Sequence, residues 1–273
     1  MQSATISFHS SNIHFVYAGW GNKVILCFHG YGDSSRSYEF LSSHLPPEEF
    51  TIIAIDLPFH GDTEWNEDLN FSVTDLKNIL TGILEQRNIP TNQKIILLGF
   101  SLGGRICMSL YQVMPEKIEK IVLLAPDGLK ENFWYWLPTQ TSLGNKFFAF
   151  TMKRPGWFFG FLKLLNKLKM VNASIFKFVH YYIDDEQVRN DLYKRWTVLR
   201  KLKPDLAQIK TLIIKYYTQV RVIYGKHDRI ILSVRGEKFR KGIEDFCTIT
   251  VLNSGHQVLQ EKHVHEIVDA ILH

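Results

Sequence analysis

The run Gly99-Phe100-Ser101-Leu102-Gly103, set between an apolar strand pattern and a helical one, constrains this chain more than any other stretch. Before it, Gln93-Lys94-Ile95-Ile96-Leu97-Leu98 reads as a buried strand. After it, residues 104–113 carry apolar side chains at helical spacing, and Met114-Pro115 closes the pattern. A strand that turns into a helix within one residue strains that residue's backbone, and the positions two before and two after it must lack side chains. Gly-x-Ser-x-Gly meets both demands. The serine hydroxyl then projects above the strand end, over a helix N-terminus whose free N–H groups and dipole favour developing negative charge. Ser101 is the candidate nucleophile.

Other elements fall in a matching order. Val24-Ile25-Leu26-Cys27-Phe28 is a continuous apolar run, the pattern of an inner strand buried on both faces. The turn His29-Gly30-Tyr31-Gly32 follows, and it can aim the Tyr31 N–H across the sheet edge toward Ser101. With the Leu102 N–H it would form a two-donor oxyanion hole, the electrostatic device that usually contributes most in acyl transfer. His29, at the head of the turn, is a candidate for substrate contact.

Val220-Arg221-Val222-Ile223-Tyr224-Gly225 reads as a later strand, with Asp228 just beyond its carboxyl end. Thr248-Ile249-Thr250-Val251-Leu252 is another, leading into Asn253-Ser254-Gly255-His256 and a final helix. A serine hydroxyl is a poor nucleophile at neutral pH, so an imidazole must take its proton and return it to the leaving group. A carboxylate on the other ring nitrogen fixes the tautomer and stabilises the imidazolium. His256 and Asp228 supply those types in the order Ser101, Asp228, His256. Asp127, directly after the apolar run 121–126, is the alternative acid.

With these residues the chain resembles the α/β-hydrolase superfamily, in particular its lidded serine hydrolases of the esterase and C–C hydrolase-like group. The likeness covers almost the whole length and extends to Asp56-Leu57-Pro58-Phe59-His60-Gly61-Asp62-Thr63, similar to the family's Asp-x-Pro-Gly-His-Gly-x-Ser segment. Phe59 and Thr63 depart from that segment at loop positions, and Asp56 and His60 carry no chemical role in it. The resemblance implies an α/β-hydrolase fold, with a mostly parallel eight-stranded-type sheet flanked by helices and a helical lid. Residues 1–128 and 206–273 would be the core and 129–205 the inserted lid. It also implies an acyl-enzyme reaction on an ester-like bond of a small or medium apolar substrate, with no cofactor and no metal. A serine at the nucleophile position argues against the epoxide hydrolases and dehalogenases of the same fold.

Composition bounds the remaining possibilities. The 273 residues, 45% of them hydrophobic, suffice for one large α/β domain or a domain with an insertion. An N-terminal hairpin (about 4–17) precedes alternating strands and helices, so the sheet should be mostly parallel with antiparallel strands at one edge. The N-terminus lacks a basic segment followed by a long apolar core, and no apolar run approaches the roughly 18 residues of a membrane span. Cys27, Cys107 and Cys247 are odd in number and lie in apolar patterns, which suits small buried residues in a reducing compartment. A cytoplasmic location is the expectation. Nothing in the pattern fixes an oligomeric state.

The net charge of +5 is unevenly distributed. Residues 132–183 hold seven Lys and Arg and no Asp or Glu, a charge of +7 that leaves the rest near −2. The same segment is dense in Phe, Trp and Tyr. Three readings stand: aromatics that pack the lid while lysines solvate it, a pocket for an anionic or apolar substrate, or a basic amphipathic helix over 157–169 at a membrane surface. Nucleic acid is not expected, since no binding motif accompanies the basic residues. Arg105, in the first turn of the helix after Ser101, either pairs with a loop carboxylate or captures a substrate carboxylate. In the latter case Gly-x-Ser-x-Gly-Gly-Arg resembles the elbow of the menaquinone-pathway enzyme that eliminates pyruvate. C–C bond hydrolysis is a related alternative, and a non-catalytic binding protein on the same fold is a further one.

Overall fold

The computed structural model describes residues 1–90, 92–130, 133–167 and 182–273. The chain divides into two compact units. The first comprises Met1–Glu67, Phe71–Lys130 and Lys201–His273; the second comprises Asp68–Asn70 and the described residues between Lys130 and Lys201.

The first unit is built on an eight-stranded sheet in the order β1-β2-β4-β3-β5-β6-β7-β8. Strands β1 (Gln2–Phe8) and β2 (Ser11–Ala18) form the antiparallel edge, and β2 pairs antiparallel with β4 (Phe50–Ile55). From β4 onward every pairing is parallel, through β3 (Lys23–Phe28), β5 (Ile95–Phe100), β6 (Ile118–Leu124), β7 (Gln219–Gly225) and β8 (Cys247–Leu252). The continuous apolar runs read from sequence follow from this arrangement: β3, β4 and β5 are inner strands with both faces covered, and β4 and β5 are buried at every position. Parallel strands end on the same edge. The loops after β3, β5, β6, β7 and β8 therefore meet on one side of the sheet, where ligands of open α/β folds bind.

Helices α1 (Val73–Gln86), α2 (Leu102–Val113), α7 (Leu206–Tyr216), α8 (Val234–Arg240) and α9 (Val264–Leu272) belong to this unit. In α1, Leu76, Ile79, Leu80 and Ile83 form the buried stripe, and Ser72 with Asp75 makes a reciprocal cap at its start. Buried Lys120 of β6 donates to the Ile271 carbonyl at 2.8 Å, tying down the end of α9. The three cysteines are buried and unbridged. Burial pushes the Cys27 and Cys107 thiols well up, and that of Cys247 to about 11, so they are packing groups and not reactive thiolates.

The second unit contains helices α3 (Phe133–Gln140), α4 (Ser142–Lys153), α5 (Gly156–Lys167) and α6 (Glu186–Val198). Thr141 caps α4 by accepting from Gly144 N–H at 3.0 Å, and Asp185 caps α6 through Val188 N–H at 2.9 Å. Its interior is aromatic: the Phe148 ring packs against Tyr193 and Trp196, at 5.4 and 5.7 Å between centroids. Arg189 donates to the Met152 carbonyl at 2.8 Å, fastening α6 to α4. The basic stretch expected over 157–169 is helical to Lys167; Leu168 and Lys169, like Lys177, lie outside the described residues.

Candidate active site

Ser101 joins β5 to α2 with φ 49° and ψ −111°, the strained corner expected from sequence. Such a conformation costs on the order of 1–3 kcal/mol and persists only where its surroundings enforce it. Here the Ser101 N–H donates to the Leu124 carbonyl at 2.9 Å, and its carbonyl accepts from Gly104 and Asp127 N–H at 2.9 and 2.8 Å. The flanking glycines are spatial requirements. A Cβ on Gly99 would collide with the Gly103 carbonyl, and one on Gly103 with the Phe28 carbonyl that ends β3. Close approach at Gly103 thus brings the start of α2 against the β3 loop that carries Tyr31.

His256 and Asp228 reach Ser101 from loops that are laced together. Lys226 N–H donates to the Leu252 carbonyl at 2.7 Å and His227 N–H to the Ser254 carbonyl at 2.9 Å. Gly225 packs so tightly on the Gly255 carbonyl that no Cβ fits. The resulting geometry is a chain of hydrogen bonds. Asp228 Oδ2 accepts from His256 Nδ1 at 2.7 Å, and the Ser101 hydroxyl donates to His256 Nε2 at 3.1 Å. A carboxylate only accepts, so in the neutral imidazole the proton sits on Nδ1 and Nε2 is left as the acceptor. Asp228 is buried, and its other oxygen accepts from the Ile230 and Ile231 N–H groups at 2.7 and 2.9 Å, which fixes its orientation. The Phe100 ring lies 5.4 Å from the imidazole.

The remaining sequence candidates fall into different places. Leu102 occupies the first position of α2, so its N–H has no intrahelical acceptor. Tyr31 is half-buried in the loop after β3, its ring edge-on to His60 at 5.9 Å. Asp127 does not reach His256. Its Oδ1 accepts from Gly128 N–H at 2.8 Å, and its Oδ2 lies 3.5 Å from the Nε of buried Arg105. A buried guanidinium needs a compensating charge, and Asp127 provides one. Arg105 and its neighbouring acid thus form an ion pair. His29, the other candidate for substrate contact, lies inside the loop it heads. It is fully buried, donates from Nδ1 to the Gly30 carbonyl at 2.8 Å and accepts at Nε2 from Leu57 N–H at 3.1 Å. Both ring nitrogens face backbone.

Asp56 holds its loop together. Its buried carboxylate accepts from His14 Nδ1 at 2.7 Å, from Ser35 N–H at 2.5 Å and from Asp62 N–H at 2.9 Å, binding three segments together. No motif in the sequence marks Asp33. Its carboxyl lies where a Cβ on Gly30 would meet both it and the Phe100 ring. Burial raises its pKa, and the nearby His256 partly offsets that rise. The signal that could have found it is an acid two residues beyond Tyr31 in a loop already assigned to the site.

Comparison with known proteins agrees with this architecture. A family model described as alpha/beta hydrolase fold matches residues 23–262. The chain is 24% identical over 253 residues to an uncharacterized hydrolase, YugF, of Bacillus subtilis (strain 168), covering 90% of this chain and 88% of that one. It is 31% identical over 120 residues to a putative 2-succinyl-6-hydroxy-2,4-cyclohexadiene-1-carboxylate synthase of the same organism, spanning 42% of this chain and 41% of the relative. Among solved structures, a thermophilic esterase from Thermogutta terrifontis superposes with a TM-score of 0.68 at 16% identity, over 100% of this chain and 98% of the other. That likeness is one of fold.

Proposed function

Because this chain belongs to the alpha/beta hydrolase fold family, we propose that it is a serine hydrolase that cleaves an ester-like bond of a small or medium apolar substrate through an acyl-enzyme. The observation that carries this reading is the Ser101–His256–Asp228 chain of hydrogen bonds at 3.1 and 2.7 Å. As His256 Nε2 takes the hydroxyl proton, Ser101 Oγ attacks the substrate carbonyl, and the carbonyl oxygen gains a negative charge. The Leu102 and Tyr31 N–H groups hold that oxyanion; each such donor is worth roughly 10²–10³-fold in rate. The imidazolium, steadied by Asp228, then protonates the leaving alcohol. Water enters, gives its proton to His256 and releases the acid, restoring Ser101. The steps balance without a cofactor. The second unit is inserted directly after the β6 loop, a chain position that supports its reading as a lid.

The pyruvate-eliminating alternative needs an arginine beside the nucleophile to bind a substrate carboxylate. Arg105 already faces Asp127, and Asp33 adds a further acidic group near His256, so the local charge favours a neutral substrate over an anionic one. A binding protein on the same fold would have no use for a strained serine aligned with a histidine and a buried acid. The test is a panel of nitrophenyl esters graded by acyl length and charge. Neutral short-to-medium esters should turn over, with activity falling at least about 10⁴-fold in Ser101→Ala. Folded wild-type protein that hydrolyses none of them would overturn the proposal.

A further inference from the structure

Helices α4 and α5 carry their apolar residues on two sides. The inward side of α4 holds Phe148, Thr151 and Met152, and Leu162 is buried on α5. The other side holds a second stripe: Leu143, Phe147 and Phe150 on α4, then Trp157, Phe161 and Leu164 on α5. Each triplet follows the spacing i, i+4, i+7 or its equivalent, so each lies on one helix face. These six side chains are between 40% and 81% exposed. The rings of Phe147 and Trp157 lie 5.0 Å apart, which joins the two stripes into one surface. Singly exposed apolar residues are ordinary, but a contiguous patch of this kind marks an interaction face.

The charge around the patch identifies what it meets. Lys146, Lys153, Arg154, Lys163 and Lys167 border it, and all are exposed. From Ser142 to Lys167 the sequence contains no acid. A second copy of the chain would set this cationic border against its own like charge. An apolar face ringed by lysine and arginine instead matches an anionic lipid surface, where aromatic rings enter the acyl boundary while the long cationic side chains reach to the headgroups. No helix among the described residues is long and apolar enough to cross a membrane, so the contact would be one of lying on the surface.

We propose that the outward face of α4 and α5 docks this protein on anionic bilayers. The inference does not rest on the assignment of Ser101, and binding is measured without turnover. The test is co-sedimentation of the full chain with vesicles of phosphatidylcholine containing roughly one quarter phosphatidylglycerol, and with phosphatidylcholine alone. Wild type should pellet with the anionic vesicles at low salt, weakly with the neutral ones, and less as salt screens the charges. The double variant Phe147→Ser with Trp157→Ser should lose about tenfold in vesicle affinity, and the triple variant Lys146→Ser, Lys153→Ser, Lys163→Ser should lose the preference for anionic lipid. Leu143→Ser, at the most exposed position of the stripe, provides a variant with little risk to folding, and circular dichroism confirms that each is folded. Three results would overturn the proposal: no binding of wild type at low salt, equal binding by the folded stripe variants, or a dimer in sedimentation equilibrium that the stripe variants abolish.

Discussion

In the first unit Phe15, Phe28, Tyr38, Phe50 and Phe100 are at most 2% exposed, whereas Phe147, Phe150, Trp157 and Phe161 of the second keep 40% or more of their surface in solvent. Similar side chains serve opposite ends. A parallel sheet offers two faces to be covered, so its apolar runs lock strands into register and hold loops at a common edge to within hydrogen-bonding distance. A helix has one face to bury, and the aromatic residues on its other face keep much of their surface in solvent even where their rings touch, as Phe147 and Trp157 do. The first unit therefore fixes a geometry, while the second presents a surface.

If that division holds, the chemistry should depend on the first unit's loops and little else. The largest effect is expected from Asp228→Asn, which leaves the shape of the site but forces the wrong imidazole tautomer. Turnover should fall about 10⁴-fold with little change in melting temperature, measured by ester kinetics and thermal denaturation. Asp127→Asn should stay within about tenfold of wild-type turnover, its effect appearing as lost stability around Arg105. The reverse pattern would move the acid from the β7 loop to the β6 loop.

A matched pair of truncations sharpens the contrast in stability. Phe15→Ala, in the buried sheet, should cost about 3–5 kcal/mol by the loss of burial and the cavity left behind. Phe150→Ala should stay within about 0.5 kcal/mol. Denaturant unfolding measures both, and comparable losses would mean that the outward face of α4 is packed after all.

The last expected effect is a pH dependence at Asp33, whose pKa is raised in the folded protein chiefly by burial. A carboxyl raised on folding contributes stability that is fully present below its unfolded pKa and is lost as pH rises through the folded value. Asp33→Asn removes that loss. The variant should melt a few degrees above wild type, roughly, at neutral pH, and the advantage should shrink to nothing as pH falls below the ordinary carboxyl range. A melting-temperature difference that does not change with pH would show that the carboxyl is not desolvated.

The parts of this molecule legible in the sequence are those set by local constraint. Gly99, Ser101 and Gly103 declare a corner because only that residue pattern survives it, and the apolar runs declare inner strands because both faces are covered. The order Ser101, Asp228, His256 was readable because parallel strands deliver their following loops to one edge. Tertiary pairing was less so. Nothing local says that Arg105 and Asp127, 22 positions apart in sequence, face each other; their closeness comes from β5 and β6 being neighbours and from the Ser101 carbonyl binding Asp127 N–H. His29 looked available because its neighbours suggest a turn, yet its ring is used by the backbone of two loops. The second unit is least legible, since Phe147 and Phe148 are adjacent in sequence and only packing decides which one faces inward.

The central claim is that Ser101 is a nucleophile activated by His256, and covalent labelling tests it most directly. A fluorophosphonate probe should modify wild-type protein stoichiometrically, with mass spectrometry placing the adduct on Ser101, and should fail to label Ser101→Ala. Folded wild-type protein that remains unlabelled, or an adduct on another residue that persists in Ser101→Ala, would contradict the account.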